Sequence, residues 1–182
     1  MPKVLALLLL LNLSAFTQTT WRGLHFGMSE PQARKVYEGT LRQAYPADVS
    51  GAFTLIDDNQ KLEGMPARAS LHFNGAKTLR GISLVVKDPF ANETEISAAG
   101  SSLATIDVLN DDLIEKYEKP TIKEGECALT ARMISLNQRS PFSCKMMWKS
   151  EGQIIKLDWY FHDGRLSALF LTYTLPPKDI WL

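Results

Sequence analysis

Residues 67–86 read "ARASLHFNGAKTLRGISLVV". Ala69, Leu71 and Phe73 alternate with Arg68, Ser70 and His72, the period-two pattern of a strand with one apolar and one polar face. Asn74-Gly75 follows, a strong local hairpin signal, and "TLRGISLVV" (78–86) supplies the returning strand. Such a pair buries one face and can leave the other open, which is the habit of antiparallel sheets. Upstream, "GAFTLID" (51–57) reads as a further strand and "DNQKLEGMP" (58–66) as a turn-rich link. Asp57-Asp58 then reads as turn chemistry, with the two side chains pointing apart.

The pattern returns downstream. "ECALTARMIS" (126–135), "FSCKMMWKS" (142–150), "IIKLDWYF" (154–161) and "LSALFLTYT" (166–174) read as strands, the last three joined by the hairpin-sized "EGQ" and "HDGR". Ile155, Leu157, Trp159 and Phe161 would face the covered side; Lys156, Asp158, Tyr160 and His162 would face away. Ahead of each meander stands a helix. Ser29, Pro31 and Gln32 make a helix start, and Ala33, Val36, Tyr37, Leu41 and Ala44 recur at helical spacing up to Tyr45-Pro46, with Gly39 a possible earlier end. Ser97–Tyr117 keeps Ala98, Leu103, Ile106, Leu109, Leu113 and Tyr117 on one face, and Pro120 stops it. Placing Phe73 opposite Phe161 aligns Leu71 with Trp159 and Ala69 with Leu157. The expected fold class is therefore α+β: two tandem helix-plus-antiparallel-meander repeats, about 21–90 and 91–182, with the helices on one sheet face.

The chain opens "MPKVLALLLLLNLSAFTQTTW". A basic residue, a short apolar core and a small polar tail are the layout of a secretory signal peptide, expected over residues 1–20; an anchor or a buried helix is the alternative. One exported domain, periplasmic or secreted, would follow over 21–182, with no further membrane span. In an oxidising compartment Cys127 and Cys144, the only two cysteines, read as a disulfide, and two buried free thiols are the alternative. The 20 Lys+Arg and 20 Asp+Glu are scattered without a basic stripe, which disfavours nucleic acid as a partner.

Chemistry is sparse. His25, His72 and His162 lack any metal-ligand spacing, so no metal and no cofactor is expected. There is no G-x-S-x-G elbow, and Asp111-Asp112 reads as a solvated helix face. Asn92-Glu93-Thr94 is a glycosylation sequon only in a eukaryotic secretory pathway. What remains is the outward sheet set: Arg68, His72, Lys145, Lys149, Lys156, Asp158, Tyr160 and His162, together with Met147. A solvated face carries such residues, and so does a partner surface, where aromatics and Met are enriched. The expected function is a non-catalytic module contacting an unidentified protein or envelope partner through this face. The alternative is a small secreted hydrolase using His162 or His72 with Asp163 or Asp158.

Residues 21–33 carry the pattern W-x-G-x-x-F-G-M-S-x-x-x-A. It resembles the start of small exported bacterial domains in which a strand hands over to a helix at Gly-Met-Ser. "IEKYEKP" (114–120) is similar to the Tyr-Gly-Lys-Pro that ends a helix in such proteins, with Glu118 in place of the Gly. The helix-then-meander order resembles the β-lactamase-inhibitor-protein-like fold, also seen in the small lipoprotein of the outer-membrane β-barrel assembly machine. That resemblance implies a binding role with the concave sheet face as contact surface. This chain has no lipid-attachment Cys near its start, a departure from the lipoprotein branch.

Overall fold

The computed structural model describes residues 21–87, 95–127, 141–150, 152–162 and 165–176. The expected signal peptide, the sequon at Asn92, Asp163 and nearly all of the strand expected over 126–135 lie outside the described residues. Helix α1 (Glu30–Val36) is followed by β1 (Arg42–Gln43), β2 (Phe53–Leu62), β3 (Met65–Phe73) and β4 (Leu79–Lys87). Helix α2 (Glu95–Tyr117) is followed by β5 (Ile122–Gly125), β6 (Phe142–Ser150), β7 (Gln153–His162) and β8 (Arg165–Thr174). The strands form one antiparallel sheet in the order β1-β2-β3-β4-β8-β7-β6-β5. The protein is α+β.

Alternation dictates the two faces of this sheet. Leu71, Ile82, Leu84, Leu171, Leu157, Trp159 and Trp148 point to one side and join Ala33 and Tyr37 near α1 and Ile106, Leu109 and Leu113 of α2 in a single buried cluster. Both helices therefore cover the same face. Among the described residues, no helix is long and apolar enough to cross a membrane. Asp111 and Asp112 are exposed on α2, as their spacing predicts.

Several local expectations are corrected. The run Trp21–Phe26 is no strand: Arg22 and Gly23 both take positive φ, 47° and 76°, and the tight turn they make drops Leu24 into the core. Ser29 does occupy the N-cap of α1, its N–H donating to Gln32 Oε1 at 2.8 Å. The helix ends at Val36, so the helical spacing of Leu41 and Ala44 is accidental. What stops it is Asp57, which is not a turn residue but sits inside β2, 1 % exposed. Its Oδ2 accepts the Tyr37 hydroxyl and the Thr40 N–H, each at 3.2 Å, and fastens the chain leaving α1 to the sheet. Gly39 lies so close that a Cβ there would collide with the Asp57 carboxylate, the Tyr37 ring and the Gln60 amide. Strand β2 runs on through a bulge between Asp57 and Gln60, and the turn falls at Glu63-Gly64.

The hairpin after Phe73 forms where Asn-Gly predicts it, by different means. Asn74 Oδ1 accepts from Thr78 N–H at 3.0 Å, and the left-handed residue is Lys77 (φ 57°). Glu118, the first residue past α2, is also left-handed at φ 64°, the conformation for which glycine is the usual choice. Its carbonyl accepts from Trp148 Nε1 at 2.9 Å, so the backbone there is held whatever side chain it carries. Glu118→Gly is therefore expected to stabilise the fold by about 0.5–1 kcal/mol, the left-handed penalty less glycine's extra flexibility. A melting curve displaced upward by roughly 2–3 °C checks it.

Candidate functional site: the open sheet face

The registers bring the outward residues into transverse rows. One runs from Arg68 through Val85, Phe170, Asp158 and Lys145 to Glu124, crossing β3, β4, β8, β7, β6 and β5. The next runs from Ile56 through Ser70, Ser83, Thr172, Lys156 and Met147 to Ile122. A third holds Thr54, His72, Gly81, Thr174, Ile154 and Lys149. All eight residues singled out from the sequence belong to this one face. Arg68 and Asp158 share the first row with Lys145, whereas His162 and Tyr160 stand toward the β7–β8 turn.

The face is recessed. Ile56 and Ile154 point to it and are only 7 % and 8 % exposed, yet neither belongs to the core cluster. A cleft of about 450 Å³ lies over β2, β3, β4 and β8, lined by Asp58, Pro66, Arg68, Ser70, Val85 and Phe170. The Asp58 carboxylate pairs with Arg68 Nε at 2.5 Å and Arg42 Nη2 at 2.6 Å, and those bonds hold its pKa below the ordinary value. Lys145 and Glu124 approach to 3.9 Å. Tyr160, 47 % exposed, sets its ring edge-on to Phe170 with centroids 6.0 Å apart.

Two titratable groups in the face are perturbed. Asp158 Oδ1 is buried without a hydrogen-bond partner, and burial raises the Asp158 pKa despite the charges of Lys145 and Lys156. His72 lies between two hydroxyls: Thr54 Oγ1 is 3.1 Å from its Nδ1 and Ser83 Oγ is 2.7 Å from its Nε2. Burial lowers its pKa, so the neutral ring is favoured at pH 7. Asp158 is not the partner of His72.

Sequence reasoning missed Asp58, Ser83, Val85 and Phe170. In "GISLVV" and "LSALFLTYT" apolar residues fall on both faces, so the outward Val85 and Phe170 read as more core; Phe170 betrays itself only through its register with Asp158. Fold and face together define an α+β protein with one sheet surface covered by helices and the other without a covering helix or strand among the described residues. In comparisons with known proteins, no family model, no curated protein and no solved structure matches the chain.

Proposed function

We propose that this is an exported, non-catalytic binding module, periplasmic or secreted, that contacts a protein or envelope ligand through its open sheet face. The observation that carries the reading is the composition of that face. Half-buried Val85 and Phe170 continue into exposed Tyr160 beside a cleft, and an apolar strip rimmed by charge is the composition of an interaction site. The disulfide Cys127–Cys144 suits an oxidising compartment.

We read the architecture as a tandem repeat of the β-lactamase-inhibitor-protein-like kind, and the registers support it. Phe53 pairs Phe73 in the first half as Phe142 pairs Phe161 in the second. The ladder slips between His72 and Phe73, and again between Tyr160 and Phe161, so a bulge recurs at the corresponding place. Where the halves meet, Ile82 pairs Tyr173 and Val86 pairs Leu169, with Leu84–Leu171 midway. A two-fold axis through that central pair exchanges the outer two.

Replacing Tyr160 and Lys156 together by Ala should abolish capture of a partner from the native envelope. Both lie outside the core, so the melting temperature should stay where it is. Undiminished capture would overturn the reading. A second reading, a small hydrolase, has one observation in its favour: the 2.7 Å contact of Ser83 Oγ with His72 Nε2. Thr54 rather than a carboxylate stands at Nδ1, and β4 is laddered on both sides, which ties up the amides an oxyanion would need. A fluorophosphonate probe is expected to leave Ser83 unlabelled; labelling that vanishes in Ser83→Ala would establish the hydrolase instead.

A further inference from the structure

The open face has a polarity that its outline alone does not reveal. Arg68 uses Nε on Asp58, and its two terminal nitrogens have no partner among the described residues. The same is true of the Ser70 hydroxyl at the floor of the cleft. Between them and Asp158 lies the apolar pair Val85–Phe170. Farther along, Lys156 and Lys149 carry no ion pair among the described residues, and Met147 and Ile122 fill the row beside them. The acids of this face are already answered or withdrawn: Asp58 by two arginines, Glu124 by Lys145, Asp158 by burial. Unsatisfied donors and uncompensated positive charge are what remain.

We propose that the face binds an extended acidic segment of a partner protein, one carboxylate of which takes the terminal nitrogens of Arg68 and the Ser70 hydroxyl while an adjacent aromatic ring covers Val85 and Phe170. The inference rests on the binding-module reading and names the chemistry of its partner. A guanidinium already oriented by Asp58 offers a carboxylate two parallel N–H bonds at little further ordering cost. Past the ring, Asp158 holds its Oδ1 below the surface and offers a second acid no donor. A further acid then meets Lys156 or Lys149. Arg68 and Lys149 stand four strands and two rows apart, about 23 Å at the usual spacings, which is the reach of roughly seven extended residues. That length belongs to a peptide segment and not to a small anion. Recession of Ile56, Ile154 and Ser70 below the cationic rim suits an inserted side chain better than a plane of lipid headgroups.

The test is selection of a phage-displayed random dodecapeptide library on the full chain, followed by fluorescence anisotropy with the selected peptides made synthetically. The selected set is expected to carry Asp or Glu within two positions of an aromatic residue and to be depleted in Lys and Arg. Arg68→Ala should weaken binding at least tenfold and Lys156→Ala several-fold, while Lys35→Ala on α1, on the covered side, leaves it unchanged. Failure of any peptide to enrich, a basic consensus, or indifference to both Arg68→Ala and Lys156→Ala overturns the proposal. Equal binding to phosphatidylglycerol vesicles with the same lysine and arginine dependence overturns it in favour of a membrane surface. If envelope capture depends on Tyr160 and Lys156 but the selected peptides lack acids, this inference falls and the binding module stands; if capture ignores the face, both fall.

Discussion

Asp57→Ala is expected to destabilise the fold by about 3–4 kcal/mol and lower the thermal midpoint by roughly 10 °C. The carboxylate is buried and saturated. Oδ1 accepts the Asn59 N–H at 2.9 Å, and Oδ2 accepts from Gln60 Nε2 at 2.7 Å besides Tyr37 and Thr40. Alanine would strand the buried Tyr37 and Gln60 donors and break the part-buried bonds of Thr40 and Asn59 as well, and stranded donors cost more than a deleted contact. The ring of dependence is wider still, because Gln60 Oε1 in turn accepts from Arg22, whose guanidinium lies 4.9 Å from the centroid of the Trp21 ring. Burial by itself would raise the Asp57 pKa, but the bonds from Asn59, Gln60, Tyr37 and Thr40 outweigh it and hold the pKa below the ordinary value. A folded pKa below the unfolded one means stability that is present above the unfolded value and lost as pH falls through the folded one. The gap between parent and Asp57→Ala should therefore be full at pH 7 and narrow below about pH 4. Gly39→Ala supplies the cross-check. Its Cβ collides with the Asp57 carboxylate, so it should cost less in the Asp57→Ala background than alone. Equal costs would show that the two residues do not share one site.

How far the sequence reached depends on where the decisive interaction lies. β3, β6 and β7 are legible because period-two alternation records a single fact, which side of a sheet is covered, and Leu71, Trp148, Trp159 and Leu157 state it residue by residue. The open-face candidates follow from the same fact. Asp57 is illegible because a buried carboxylate in a strand violates the pattern, and its partners lie 17 and 20 residues away in Thr40 and Tyr37. Local rules then read "IDDN" as a turn and let α1 run on past Gly39. The short edge strands β1 and β5 escape for a related reason: two and four residues carry no period, and only their neighbours β2 and β6 define them. The Ser83–His72 contact and the Arg68–Asp58–Arg42 bridge are cross-strand facts, invisible until the register is known.

Opening the Cys127–Cys144 disulfide is the second large effect, and it tests compartment and function together. The bond spans a sequence separation of 17, so its loss frees about 3 kcal/mol of chain entropy in the unfolded state. It also ties Cys127, just past the four-residue edge strand β5, to Cys144 in the buried face of β6. Besides the disulfide, β5 is held on one side only, by its four-residue ladder to β6 and the bonds that flank it: Thr121 N–H donates to the Met147 carbonyl at 2.8 Å and Glu126 N–H to the Ser143 carbonyl at 2.9 Å, and Gly125 has no room for a Cβ beside that carbonyl. Reduction should accordingly lower the thermal midpoint by roughly 6–12 °C and raise hydrogen exchange in β5 well before the β7–β8 centre responds. Cys127→Ala/Cys144→Ala should show the same loss and then be indifferent to reductant. Because β5 places Ile122 beside Met147 and Glu124 beside Lys145, its fraying would disturb the Lys145–Lys149 end of the open face and leave Arg68 and the cleft intact. Reduced protein should then retain the Arg68-dependent part of partner binding and lose the Lys149-dependent part. A midpoint unmoved by reductant would remove the disulfide, and with it the argument for an oxidising compartment.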